Sequence, residues 1–146
     1  MKNSLKHIFQ PSSKYNDVRN INIYLLRGLF FLMAFVLGYE VWSYIFGHSG
    51  VWNSDDAVVY SVLAGFTVLS LLGLINPVKM LPLLLLEIFY KLLWLFLVAY
   101  PLWSTNQLTG SPMGKRTFAF SLVILAIIAV PWRHVYNTYF KNLKAA

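Results

Sequence analysis

The chain has 146 residues, 58% of them hydrophobic and 12% charged, a balance far from that of a water-soluble domain. It carries a net charge of +7 and no cysteine, which excludes disulfides, thiolate metal sites and cysteine nucleophiles. Its tails and loops are too short to hold a second domain or a basic folded surface for nucleic acid, so a single domain set in a lipid bilayer is expected.

A membrane span needs ~20 mainly apolar residues at 1.5 Å each. Four such runs occur, at 21–46, 57–75, 80–103 and 117–136, and they predict an all-α, four-helix membrane bundle with short loops. Residues 1–20, with Pro11, Ser12, Ser13 and Asn16, read as a mobile basic tail resting on anionic head groups. The first span is too long for a signal-peptide core and lacks a small-x-small cleavage site, so it is expected to remain as a helix. In it Arg27, Phe31, Ala34 and Gly38 recur at helical spacing on a face expected to look inward. Ala34 and Gly38 form a small-xxx-small step on that face, which lets a neighbouring backbone approach. Glu40 is turned about 140° from Arg27 at ~100° per residue, which makes it a peripheral member of any charge network and places it near the outer surface.

The first outer loop, 47–56, is rich in turn formers. His48, Asp55 and Asp56 match no standard metal spacing, and Ser54 followed by two acids reads as the N-terminal cap of the second helix, where negative charge opposes the helix dipole. Small or hydroxylic residues at Ser61, Gly65, Thr67, Ser70 and Gly73 suit the second helix to close packing. Asn76 and Pro77 end it, so the second and third helices are expected to form an antiparallel hairpin. The third outer segment, 104–116, is polar and contains Gly110, Pro112 and Gly114. Trp42, Tyr44, Tyr100, Trp103, Trp132, Tyr136 and Tyr139 fall near the ends of spans, as in an anchoring aromatic belt. His7, His48 and His134 lie in tails or interfaces and offer no haem or quinone site.

Eight basic residues fall on one side: Lys2, Lys6, Lys14, Arg19, Lys79, Arg133, Lys141 and Lys144. Lys115 and Arg116 stand on the other, so both termini are expected in the cytoplasm of a bacterial inner membrane.

Glu87 and Lys91 lie inside the third apolar run, where a charge costs at least ~2.5 kcal/mol on insertion scales. Glutamate four residues before lysine is the favoured order for an ion pair along one helix face. Counted from the cytoplasmic helix ends, Arg27 lies ~8 Å deep, Glu87 ~12 Å and Lys91 ~18 Å, so Arg27 is a second partner for Glu87. The Arg27, Glu87 and Lys91 group reads in two ways. As a latch it fixes helix register. As a relay, Glu87 changes protonation while Pro82 and Pro101 loosen its helix.

The stretch from Asn76 to Trp94, together with Gly47 to Trp52 and Pro131 to Arg133, resembles a group of small bacterial four-helix membrane proteins of unknown function. The resemblance implies the fold and brings no activity. Arg27 and Gly28 in an apolar first helix also resemble the DoxX-like four-helix proteins, which implies a redox-associated accessory role from which thiol chemistry is missing here.

The expected function is therefore that of an integral membrane accessory or structural protein. A small proton-coupled transporter or channel component with Glu87 as proton site comes second, and a membrane redox-associated enzyme subunit third. No catalytic residue, metal site or cofactor is expected, and nucleases or nucleic-acid binders are not indicated. The expected partners are the lipid bilayer and other membrane proteins or further copies of the chain.

Overall fold

The computed structural model describes residues 10–13, 15, 17–108 and 110–141, and among these the regular structure is helical apart from one isolated bridge between Pro11 and Arg19. Four helices are long and apolar enough to cross a membrane: α1 (Asn20–Gly47), α2 (Ser54–Ile75), α3 (Leu81–Ser104) and α4 (Pro112–Ala129). A shorter helix, α5 (132–141), follows. Their surfaces agree with their composition. Phe46, Phe96 and Phe118, on α1, α3 and α4, are each at least 70% exposed, as the composition of membrane-spanning helices leads one to expect.

The boundaries shift where local chemistry outweighs hydropathy. The cap of α2 is Asn53 and not Ser54: the Asn53 side chain accepts the Asp55 N–H at 3.0 Å, and Asp55 and Asp56 occupy the first turn. The fourth span starts at Pro112 and not at 117, because proline is well suited to a first helical turn. It ends at Ala129 and not at 136. Pro131 has no N–H to continue the ladder and holds Val130 in an extended conformation, after which the chain restarts as α5.

Two helices carry wide turns. In α3, residues Leu95–Ala99 form a π-helical segment, and the Tyr100 N–H reaches back to the Leu95 carbonyl. Pro101 follows at once, with no N–H for the Leu97 carbonyl, so the ladder takes the longer spacing there. In α1, residues Leu32–Leu37 are π-helical. A wider turn rotates the chain less per residue, so residues before and after it no longer share the face that uniform α spacing gives them, and the expected inward stripe is corrected. Arg27 and Phe31 are exposed, Ala34 is half-buried, and Gly38 is buried against Thr67. The buried face of α1 carries Leu26, Phe30, Met33, Gly38 and Val41 instead.

The described residues fall into two compact units. One holds the chain up to Leu83 and again from Pro131; the other spans Leu84–Val130. In the first, α1 packs on α2 through the face Phe66, Thr67, Ser70 and Gly73, while Ser61 and Gly65 are exposed. Each polar group on that face is answered. Ser70 Oγ donates to the Phe66 carbonyl at 2.6 Å, Thr67 Oγ1 to the Ala64 carbonyl at 2.8 Å, and Trp42 Nε1 donates to Thr67 Oγ1 at 3.0 Å. Trp42 thus takes part in helix packing. At the other end of the same face, the Phe30 ring lies directly on the Gly73 backbone, so that a Cβ there would overlap the ring.

This contact yields a paired test. Gly73→Ala should lower stability by about 1–3 kcal/mol through overpacking. Gly65→Ala, with nothing within 4 Å of the new methyl, should be neutral or slightly stabilising. Thermal unfolding in one detergent, with helicity as the signal, reads both, and equal loss in the two variants would refute the ring-on-backbone contact.

Candidate functional site

A charge pair on an apolar helix is stabilised only if its members meet and little water remains. Glu87 and Lys91 satisfy both conditions. One helical turn of α3 brings Lys91 Nζ to 2.5 Å from Glu87 Oε1, with side-chain exposures of 18% for the lysine and 8% for the glutamate. An aromatic cluster stands beside the lysine. Lys91 Nζ stands 5.9 Å from the centre of the Phe120 ring on α4, close enough for a cation–π contact. The same ring receives Trp94 edge-on at 4.7 Å and Tyr90 at 5.9 Å. The ion pair lies within α3, so it neutralises charge without itself joining two helices. What ties α3 to α4 at this level is Phe120.

The other charges weighed as candidate site residues in the sequence belong to the first unit. Arg27 is exposed on α1 and borders a pocket beside Asn76. Glu40 is exposed as well, one turn short of the aromatic end of α1. There His48 stacks on Trp52 at 3.9 Å and Tyr44 on Tyr60 at 3.9 Å. Asp55 and Asp56 are held in the cap of α2, and among the described residues no three of His, Asp and Glu converge as metal ligands would.

One constellation was hidden from the sequence. Asp17 and His134, 117 residues apart, meet in the first unit: His134 Nδ1 lies 2.9 Å from Asp17 Oδ1, and Asn137 Nδ2 lies 3.4 Å from Oδ2. Ionised Asp17 can only accept, so Nδ1 carries the proton, and Nε2 lies 3.4 Å from Thr138 Oγ1. Tyr15 packs edge-on against the imidazole at 5.7 Å. The order carboxylate, imidazole, hydroxyl resembles a nucleophile triad, but the hydroxyl bond is long and Thr138 is exposed, so the arrangement serves as a tie. Its effect is on the amino segment. The described residues of this segment, 10–13, 15 and 17–19, are not a loose tail: the Ser12 N–H donates to the Val18 carbonyl at 2.7 Å, the Asn20 N–H to the Gln10 carbonyl at 3.1 Å, and Val18 is fully buried. Lys2, Lys6, His7, Lys14 and Lys144 lie outside the described residues. The one clue in the sequence is that the amino tail and the end of the last helix were both expected at the same membrane surface.

Comparison with protein-family models, curated proteins and solved structures finds no match to this chain.

The tie has a defined pH dependence. Hydrogen bonding to His134 holds Asp17 below its ordinary value of 3.8. Its contribution is therefore complete above 3.8 and is lost as the pH falls through the lowered value. In NMR spectra of the solubilised protein, the Ser12 and Val18 amide signals should show an ordered segment from neutral pH down to that range and lose it only below. Asp17→Asn should loosen the segment already at neutral pH, seen as faster tryptic cleavage after Arg19. Unchanged cleavage would show that the tie does not hold the segment.

Proposed function

We propose that this chain is a multi-pass protein of a bacterial cytoplasmic membrane, with both termini in the cytoplasm, that acts as an accessory or structural subunit for other membrane proteins or for further copies of itself. One observation carries the reading. The Glu87 carboxylate is buried and matched within its own helix by a half-buried Lys91, whose ammonium stands beside the Phe120 ring that Trp94 and Tyr90 pack against. A relay carboxylate has to exchange its proton with a hydrated path, whereas this one is buried and engaged by an ammonium. Such a group supports packing. The outward faces of the helices, rich in Phe, Leu and Val, then serve lipid and partner helices alike.

A proton-coupled carrier component is the second reading. It draws on the π-helical turn Leu95–Ala99 and on Pro101, which interrupt the ladder of the helix that carries Glu87 and give it a place to bend.

Charge deletion separates the two. Lys91→Met leaves a buried carboxylate without its partner, a loss that commonly costs about 3–5 kcal/mol in soluble proteins, so this variant should be poorly folded. Glu87→Gln combined with Lys91→Met removes both charges, and in an accessory protein stability and partner retention should largely return. A double variant that folds yet has lost its cellular effect would favour the carrier; one as unstable as the single variant would defeat the pairing. Phe120→Leu should weaken the fold by a smaller amount while leaving the pair intact.

Orientation has its own test. Reporter fusions within residues 1–20 and after residue 146 should report cytoplasm, and one at Asn106 the opposite side. A carboxyl terminus outside would overturn the four-span reading.

A further inference from the structure

Arg27 is a cation with no role in the reading above, and its setting has the makings of a site. It borders a pocket of about 200 Å³ in the first unit, together with Ser12, Tyr15 and Asn76 as polar members and Ile23 and Ile75 as apolar ones. Three separate stretches of chain converge there: the amino segment, the start of α1 and the end of α2. The amino segment is held in place by Val18 and by the Asp17–His134 tie, so this wall of the pocket is built and not incidental.

The charge of the pocket is positive and stays so. The first unit has four side-chain carboxylates, and none of them lines the pocket. Asp17 is already engaged by His134 and Asn137. Glu40, Asp55 and Asp56 belong to the opposite ends of α1 and α2. Arg19, exposed, adds positive charge at the Arg27 end.

Depth narrows the ligand. α1 has 28 residues and so spans ~42 Å at 1.5 Å each, longer than the ~30 Å hydrocarbon layer, which leaves ~6 Å at each end among head groups. Arg27 lies ~10 Å from the start of the helix, hence only ~4 Å below the hydrocarbon boundary, and its stem can carry the guanidinium up to phosphate level. A guanidinium fork matches a phosphate in two parallel hydrogen bonds, with the Asn76 amide as a further donor and the two isoleucines facing whatever chain follows the phosphate.

We propose that Arg27 and Asn76 form a binding site for a phosphate monoanion or diester at the cytoplasmic face, the ligand being an anionic phospholipid head group or free phosphate. The lipid source rests on the membrane reading above; the pocket itself does not.

The test uses the full chain. In native mass spectrometry after delipidation, wild-type protein should retain phosphatidylglycerol in preference to phosphatidylcholine. Arg27→Gln should weaken that retention about tenfold, and Arg27→Lys, which keeps the charge and loses the fork, by less. Asn76→Ala should weaken it too, whereas Lys79→Gln, an exposed cation outside the pocket, should not. Equal retention of the two lipids, unchanged retention in Arg27→Gln, or an equal loss in Lys79→Gln would each overturn the site, the last by showing diffuse attraction only. Helicity by circular dichroism confirms that the variants fold. Inorganic phosphate added in detergent distinguishes the sources. Displacement of the lipid by phosphate supports a site for the free anion, and retention of the lipid supports the head group. A wild-type chain that fails to integrate into phosphatidylglycerol vesicles would sink the membrane reading. The pocket would then stand or fall on whether phosphate raises the melting temperature of wild type and not of Arg27→Gln.

Discussion

Every polar group on a long apolar helix has to be answered from within the chain, because neither hydrocarbon nor a packed apolar neighbour offers a hydrogen bond. The two units meet this constraint by different means. On α2 the hydroxyls of Thr67 and Ser70 turn back to carbonyls of their own helix, which satisfies them without a partner and leaves Thr67 Oγ1 able to accept from Trp42 as well. On α3 the same end is reached with full charges, one ammonium against one carboxylate a turn away. The helix-to-helix contacts are then left mainly to shape: Phe30 on Gly73 in the first unit, Phe120 against Trp94, Tyr90 and Lys91 in the second.

Charge outside these pairs is distributed by the same logic. Carboxylates at helix starts offset the dipole, as Asp55 and Asp56 do on α2. Asp17 instead joins two segments that are far apart in sequence, and this gives the amino segment an ordered course before α1 begins. Consequently, among the described residues, Arg19 and Arg27 at that end form no ion pair with a carboxylate. A surplus of positive charge that reads as topology in the sequence becomes, with Arg27 beside a pocket, a surface with a preference for anions.

Much of the helix plan was legible in the sequence, since four long apolar runs translate into four long helices and Glu87 before Lys91 translates into an ion pair. The residues that escaped did so for identifiable reasons. Helical periodicity assumes one turn angle throughout and leaves the phase of the stripe open: the buried face of α1 carries Leu26, Phe30 and Met33 rather than Arg27 and Phe31, and the π-helical segment brings Gly38, five residues after Met33, onto that face. Hydropathy sees Pro131 as one more residue between apolar neighbours, whereas the backbone sees a missing donor and ends α4 there. The Asp17–His134 contact spans 117 residues and follows no periodicity, so nothing local could announce it. Likewise the Phe120 clasp depends on which face of α4 meets α3, a choice that composition leaves open.

The location of the Glu87–Lys91 pair within a single helix matters beyond its distance. An ion pair between two helices exists only after both have met, so each charge would enter an apolar medium alone. A pair made at i and i+4 is complete as soon as the turn forms, and α3 can reach its place already neutral. Fold specificity is thereby separated from charge burial: the pair makes the helix tolerable to its medium, and the ring of Phe120 selects the neighbour. Losing the ring should cost packing alone, while losing one charge exposes the other to a medium that has nothing to offer it.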